Sequence, residues 1–448
     1  MAVDTASHDA AGRQLAAPTR VRYQVMSVAV AASFMLYVDR YCLGELLKHK
    51  SVTTELGLDT DGLSWSLSAF FWSYGLLQVP SGWLADRFGP RWLLTIYVIG
   101  WSTCAAAMGM ATGFESLFLV RLGLGVMQAG AYPTSANVSS RWIPLADRGA
   151  ASALIAFGGR FGAASALACT TALMRWSGSW RWLMLAYGAL GGLVGVAFWL
   201  IARDWPAEHP RVNDAELALI ERGRLRETPP RLPAAEYLLE SLRGFSQLLR
   251  SASMWAMCLS QFMTNIGWVF LVTWLPKYLV EERKFDEQQG ANMNAIMLVA
   301  GMFGTLLGGR LTDVLSRTFG LRHGRALPLA LSRFLAAGAY LAIPHVESRW
   351  GAVALFCLVS FATDLGLPGT WAYMQDVGGR YVAAVLGWGN MWGNFGAAVF
   401  QLIVAKLSGD GQAINWNATL FVCAAAFMIS GVASFFIDAT KPVIRDGN

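Results

Sequence analysis

The chain has 448 residues, of which 55% are hydrophobic and 14% charged, with a mean hydropathy of +0.42; ordinary soluble domains carry about a quarter charged residues. A lipid bilayer is the solvent that suits this composition, and soluble globular, fibrous, disordered and β-barrel classes are excluded because the apolar residues fall in blocks of roughly 20, the length of a membrane-crossing helix. The formal net charge of +6 is scattered over short loops, a pattern that reports membrane topology and no nucleic-acid partner.

Residues 1–21 are a polar tail without the apolar core and small-residue cleavage site of a signal peptide, so the first hydrophobic helix is expected to stay in the mature protein. Apolar periodicity then predicts twelve membrane spans at about 22–47, 62–82, 92–112, 117–139, 149–174, 182–202, 254–280, 291–312, 327–345, 350–374, 382–406 and 417–437. Between the sixth and seventh, 203–253 is dense in charge and proline and reads as a linker, with a surface helix at 213–226 capped by Asn213 or Asp214. The expected organisation is a tail (1–21), a six-helix bundle (22–202), the linker (203–253), a second six-helix bundle (254–437) and a C-terminal tail (438–448).

An even number of crossings puts both termini on one side. That side carries 22 Lys and Arg against seven on the other, and 14 against seven when the long linker is set aside, which predicts cytoplasmic termini and an inner, plasma-membrane location. Six cysteines lie singly in apolar blocks, so neither a disulfide nor a metal site is expected. No GxxxxGK[ST] loop and no Ser/His/Asp set occurs, so neither an ATP-driven pump nor an enzyme is indicated, and no cofactor.

The stretch Gly82-Trp-Leu-Ala-Asp86-Arg87-Phe-Gly89-Pro-Arg91 follows the second span, and Gly309-Arg-Leu-Thr-Asp313 follows the eighth, 227 residues later. A Gly-x-Leu-x-Asp at the same loop of each half marks an internal repeat. In this stretch the glycine permits close helix approach, and Asp86, Arg87 and Arg91 supply charge partners across a short loop. Twelve spans with this loop resemble the major facilitator superfamily, and the resemblance implies a conformational gate at Gly82, Asp86, Arg87, Gly89 and Arg91.

Further strings narrow the likeness. Tyr37-Val-Asp39-Arg40 in span 1, Tyr74-x-x-x-Gln78-x-Pro80 in span 2, Arg121 through Pro133 in span 4, Asp204-Trp-Pro-Ala-Glu-His209-Pro in the linker, Thr273-Trp-Leu-Pro276-Lys277-Tyr-Leu in span 7 and Gly389-Asn390 with Gly393-Asn394 in span 11 resemble the anion:cation symporter family. That family includes bacterial galactonate, glucarate and hexuronate transporters, the vesicular glutamate transporters and sialin. The resemblance implies transport of a small organic anion by alternating access, coupled to a proton or other cation, in a monomer.

Charged groups within spans are costly and mark functional sites by default. Arg40 and Arg121 both fall in the outer half of the membrane by residue count, and Arg160 and Gln128 near its middle. Arg121 and Gln128 are seven residues apart, so they share a helix face. Three guanidiniums suit bidentate capture of a carboxylate. Alternatively Arg40 pairs with Asp39 or snorkels, Arg121 is structural, and Arg160 joins an interhelical polar network. Two carboxylates remain as ion-coupling candidates: Asp39, or else a fixed partner of a neighbouring arginine, and Asp364, or else a cap for backbone N–H groups freed at Pro368-Gly369.

By resemblance Tyr37, Tyr74, Arg160, Trp371 and Asn390 match substrate-lining positions, and Asn394 is read as helix packing. The chain also departs from its family. Where the resembled sugar-acid transporters carry a proton-accepting glutamate it has Gln128, and where they carry a neutral residue it has Arg160. An amide does not titrate, so the substrate carries more than one negative charge, the driving ion differs, or the protein exchanges anions. A uniporter, or a sensor that binds the anion without flux, is the alternative class.

Overall fold

A computed structural model describes residues 17–47, 49–58, 60–222, 233–407 and 414–443. Helices α1 (Val21–Leu46), the short α2 (Lys50–Glu55), α3 (Thr60–Phe88), α4 (Pro90–Met108), α5 (Phe114–Ala129), α6 (Ala131–Trp142), α7 (Arg148–Ser177) and α8 (Trp180–Ile201) build the first bundle. Linker helices α9 (Asp214–Glu221) and α10 (Ala234–Arg250) follow. The second bundle is α11 (Ala252–Val269), α12 (Leu275–Glu281), α13 (Glu287–Ala342), α14 (Arg349–Val377), α15 (Val382–Leu407) and α16 (Trp416–Ser434). Twelve of the described segments cross the membrane, because α5 with α6 and α11 with α12 each make one crossing and α13 makes two. Among the described residues, seven segments are long and apolar enough to span by length and composition alone, one of them the 50-residue stretch Ile296–His345 that begins in α13. The crossings by α3, α4, α5–α6 and α15 are less apolar or broken.

Large apolar side chains such as Phe71, Trp72, Leu76, Leu193 and Phe436 are 62–70% exposed, which is the outward face of a protein solvated by acyl chains. With no hydrophobic force between helices in lipid, packing relies on small residues. Gly158 and Gly162 of α7 abut the backbone of Val30 and Phe34 on α1, and Gly304 and Gly308 of α13 abut that of Phe361 and Leu365 on α14. The same device thus recurs in both halves.

Four elements differ from the sequence expectation. The expected loop between spans 8 and 9 is helical, and α13 turns only at Gly320, whose φ of 77° lies in the left-handed region. Span 7 contains a π-helical turn, Phe270–Trp274, just before Pro276; proline lacks the amide that would continue the ladder. The linker holds a second helix, α10, which the sequence reading did not single out. The first linker helix is shorter than expected, and Asn213 is its cap, accepting from Glu216 N at 2.9 Å; residues 223–226 of the expected helix lie outside the described residues.

The linker is bound to the first bundle. Buried Glu216 accepts from the backbone N–H of Val21 and Arg22, both at 3.1 Å, and pairs with Arg22 Nη1 at 2.9 Å, so α9 caps the start of α1. Asp204 accepts from Arg91 N at 3.0 Å and caps α4. Gly89, at φ 88°, makes that turn with Asp204 packed where a Cβ would stand. Trp205 lies under Arg141, 4.3 Å from Cζ to ring centre, and His209 packs edge-on against Trp142. The linker string of the sequence is therefore a set of helix caps and packing contacts.

Candidate functional site

Arg40 and Arg121 meet on one aromatic ring. The Cζ atoms lie 4.8 and 5.1 Å from the centre of Phe70, and Arg40 is also 5.0 Å from Tyr37 and 4.6 Å from Tyr74. Ring faces attract cations, so this cage offsets the repulsion of two neighbouring guanidiniums. Arg40 Nε donates to Gln128 Oε1 at 3.0 Å, and Gln128 Nε2 donates to the Leu36 carbonyl at 3.0 Å. Fully buried Gln128 is thereby a positioning group for Arg40. Arg121 donates to the carbonyls of Ser66 at 3.2 Å and Leu67 at 3.3 Å. One nitrogen of each guanidinium, Arg40 Nη2 and Arg121 Nη1, is buried and makes no hydrogen bond among the described residues. Buried donors without a partner are costly, and two of them on adjacent cations suit an anion.

Arg160 is in different company. Its Nη2 pairs with Asp364 Oδ1 of the second bundle at 2.6 Å, and its Cζ lies 5.3 Å from the ring centre of Trp268 on α11. Asp364 therefore does not cap freed N–H groups. Proline removes a donor, so the break at Pro368 frees a carbonyl and leaves no amide for a carboxylate to accept from; α14 continues through it. Asp39 likewise is not the partner of an arginine. Both its oxygens are buried without a hydrogen bond among the described residues, and Oδ2 lies toward Gly191 of α8 beside Ser102 of α4. Successive helix residues diverge by about 100°, so Arg40 turns to α5 while Asp39 turns to the other side.

Of the remaining candidates, Tyr74 stacks on Phe70 beneath Arg40. Tyr37 stacks on Tyr41 and lies edge-on to Tyr132. Trp371 meets Tyr132 across the bundles at 4.7 Å between ring centres. Asn390 is half-buried on α15, where its carbonyl accepts from Asn394 at 2.9 Å; its side chain makes no hydrogen bond to the arginines among the described residues. Sequence reasoning passed over Phe70, Tyr132 and Trp268, whose aromatic character gave no distinguishing signal. It also passed over Arg333, a wholly buried arginine whose Nη1 donates to the Thr363 carbonyl at 2.8 Å. A lone arginine inside span 9 was the signal for that residue.

On the side that carries the termini, the two carboxylates of the repeated motif bridge the bundles. Asp86 accepts from the first-turn amides of α15, Ala383 N at 3.0 Å and Ala384 N at 2.9 Å, and from Asn137 at 2.8 Å. Asp313 does the same for α7, accepting from Gly149 N at 2.9 Å and Ala150 N at 2.8 Å. A carboxylate at a helix N-terminus satisfies orphan amides and meets the positive end of the dipole. Each half thus caps a helix of the other, in two-fold fashion. Arg148 and Arg325 converge on Asp376 at 3.0 and 2.9 Å, and Gly82 lies against the Ala383 backbone, where a Cβ would come within 2.5 Å of its oxygen. Arg91 works within its own bundle, stacking on Trp199 and donating to its carbonyl at 3.0 and 3.1 Å, and Arg87 lies over Phe88. Val385, Leu386 and Met374 share one buried core with Leu94 and Trp142, whereas Phe270, Tyr278, Phe400 and Trp416 form a separate core in the second bundle. The bundles are closed together on the terminus side.

Comparison with known proteins agrees with this architecture. The chain is 29% identical to the probable galactarate/D-glucarate transporter GudP of Bacillus subtilis, covering 98% of this chain and 95% of that one. It is 28% identical to the probable sulfoacetate transporter SauU of Cupriavidus necator, covering 94% of each. The E. coli fucose:proton symporter FucP has the same fold, with a TM-score of 0.64 at 16% identity over 94% of this chain and 100% of that one. The description "Major Facilitator Superfamily" matches residues 29–401, and with its twelve crossings, two bundles and paired cross-bundle caps the chain belongs to the major facilitator superfamily, a family of transporters and not of enzymes.

Proposed function

We propose that this protein is a secondary transporter of small organic anions of the sugar-acid and dicarboxylate class, working by alternating access of the two bundles about Arg40, Arg121 and Arg160. The observation that carries the reading is the pair of buried, unsatisfied guanidinium nitrogens on Arg40 and Arg121 within one aromatic cage. Charge-assisted bidentate bonds to carboxylate answer that arrangement. Tyr37, Tyr74, Trp371 and Asn390 line the path of the substrate's hydroxyls and carbon chain. Relatives named for galactarate and D-glucarate, and one named for sulfoacetate, support an anion with two negative groups. Gln128 removes the titratable group from the arginine cage, so coupling to a proton or another cation falls to Asp39 or Asp364. The excess of Lys and Arg on the terminus side supports cytoplasmic termini in an inner membrane, and a closed gate at Asp86 and Asp313 supports a state shut toward the cytoplasm.

The test is flux in proteoliposomes. Purified protein is expected to accumulate or exchange labelled galactarate or glucarate, with the monomer as the functional unit. Binding of these anions without any flux would establish a sensor in place of a transporter.

A further inference from the structure

We propose that Asp364 is a built-in stand-in for the substrate carboxylate: it neutralises Arg160 when the site is empty, and so lets the empty carrier reorient and makes net, one-way uptake possible. The inference rests on the transport reading above and concerns how that transport returns to its starting state.

Arg40 and Arg121 are held by carbonyls, an amide and rings that all belong to the first bundle. Rocking of one bundle against the other leaves those partners in place. Arg160 differs because its ion partner sits on the opposite bundle, 204 residues away in sequence, at 2.6 Å, with side chains only 14% and 6% exposed. Breaking a buried ion pair by removing one partner leaves the other charge uncompensated, which is far costlier than replacing both. An empty site without Asp364 would therefore press a bare guanidinium into the bundle contact each time the bundles met.

The carboxylate is also built to let go. Its second oxygen lies against Gly301 of α13, where a Cβ would stand 2.5 Å from Oδ2. Arg333, in the same bundle, is anchored on the carbonyl of the preceding residue, Thr363, with its Nε unpartnered and buried. When a substrate carboxylate takes Arg160, Asp364 still has a cation on its own side. The substrate and Asp364 then compete for one guanidinium, and either of them leaves the bundle contact neutral.

The experiment compares two fluxes in proteoliposomes: downhill net uptake of glucarate into empty vesicles, and counterflow into vesicles preloaded with glucarate. The parent is expected to carry out both. Asp364→Asn is expected to keep counterflow within about threefold and to lose net uptake by about tenfold or more, because only the loaded carrier then crosses. Arg160→Gln/Asp364→Asn removes both charges and is expected to regain net uptake with a higher KM. That rescue separates charge neutralisation from proton carriage at Asp364, which Asp364→Asn abolishes whatever stands at position 160. Loss of both fluxes in folded Asp364→Asn, unaltered net uptake in it, or no recovery in the double variant would overturn the proposal. Should the single variant not be recovered folded, net uptake in the double variant supports the proposal and its absence overturns it. A parent that neither takes up nor exchanges the anions defeats the transport reading itself, a separate outcome.

Discussion

Gln128 joins Arg40 to the backbone of α1: its Oε1 accepts from Arg40 Nε at 3.0 Å while its Nε2 donates to the Leu36 carbonyl at 3.0 Å. The amide needs both ends, one accepting and one donating. A carboxylic acid at this position keeps both roles only while protonated, and once ionised it leaves Leu36 without a donor but pairs with the guanidinium. Gln128→Glu is therefore expected to make uptake more dependent on an imposed pH gradient than in the parent, since a proton then exchanges with the substrate for Arg40. Uptake measured with and without an inward proton gradient checks this. An unchanged dependence would remove position 128 from coupling.

Arg40→Ala and Arg121→Ala are each expected to leave a folded, membrane-inserted protein and to lower uptake to background. Each removes a charged donor to the anion, worth about 1.5–3 kcal/mol, or roughly ten- to hundredfold at low substrate. Arg121→Lys is expected to fail too, because an ammonium lacks the fork that holds two carbonyls and still leaves one nitrogen over. Initial uptake rates against surface-normalised protein levels decide it, and normal flux in either alanine variant would take that residue out of the anion site.

Charge selectivity follows from the three guanidiniums. A dianion satisfies more of these donors than a monoacid does, so glucarate is expected to bind more tightly than gluconate by about tenfold or more. Arg160→Gln is expected to narrow that ratio. Dissociation constants for the matched pair at one pH and salt concentration are the measurement; equal affinities in the parent, unmoved by the substitution, would return Arg160 to a purely structural role.

Asp86 and Asp313 each accept two first-turn amides of a helix in the opposite bundle. Asp86→Asn and Asp313→Asn replace one acceptor oxygen with a donor that meets a backbone N–H, and each is expected to shift the closed-to-open ratio on the terminus side by about tenfold. Ser152, which accepts from Gln375 across the contact at 3.0 Å, gives a probe: Ser152→Cys is expected to react several-fold faster with a thiol reagent in either background. Equal rates would show that the caps do not hold the gate.

His209 reports on the linker. Burial, with Arg211 and Arg203 nearby, lowers its pKa below the ordinary histidine value, and its Nδ1 accepts from Arg211 N at 3.2 Å, which only the neutral ring does. A folded-state pKa below the unfolded one means that the contact contributes fully above about pH 6.5 and is lost as pH falls through the folded value. Amide exchange across 203–222 is expected to quicken between pH 7 and pH 5 beyond its intrinsic rate change. His209→Gln should flatten that excess, and a variant with the same excess as the parent would show that another group controls the linker.

Much of this architecture is written in the order of residues. The twelve crossings follow from apolar blocks of about one bilayer thickness, the two halves from a repeated Gly-x-Leu-x-Asp, and the linker from its prolines and charges. Local signals failed where a second element intervened. Helix α13 runs on into the expected loop, where Gly320 turns it, and α10 packs Phe245 against Trp83 and Trp388, partners at 162 and 143 positions' distance in the sequence.

The arginine cage was legible as a group of intramembrane charges because such charges are too costly to stand without a task. Their pairing was not. Asp39 neighbours Arg40 along the chain yet faces α4 and α8, whereas Asp364, 204 residues from Arg160, holds it at 2.6 Å. Composition decides which segments favour the bilayer, since that is a transfer energy summed along one helix. Which charge meets which depends on the rotation of each helix about its axis and on the contact of two bundles, and those are settled only when helices remote in sequence pack together.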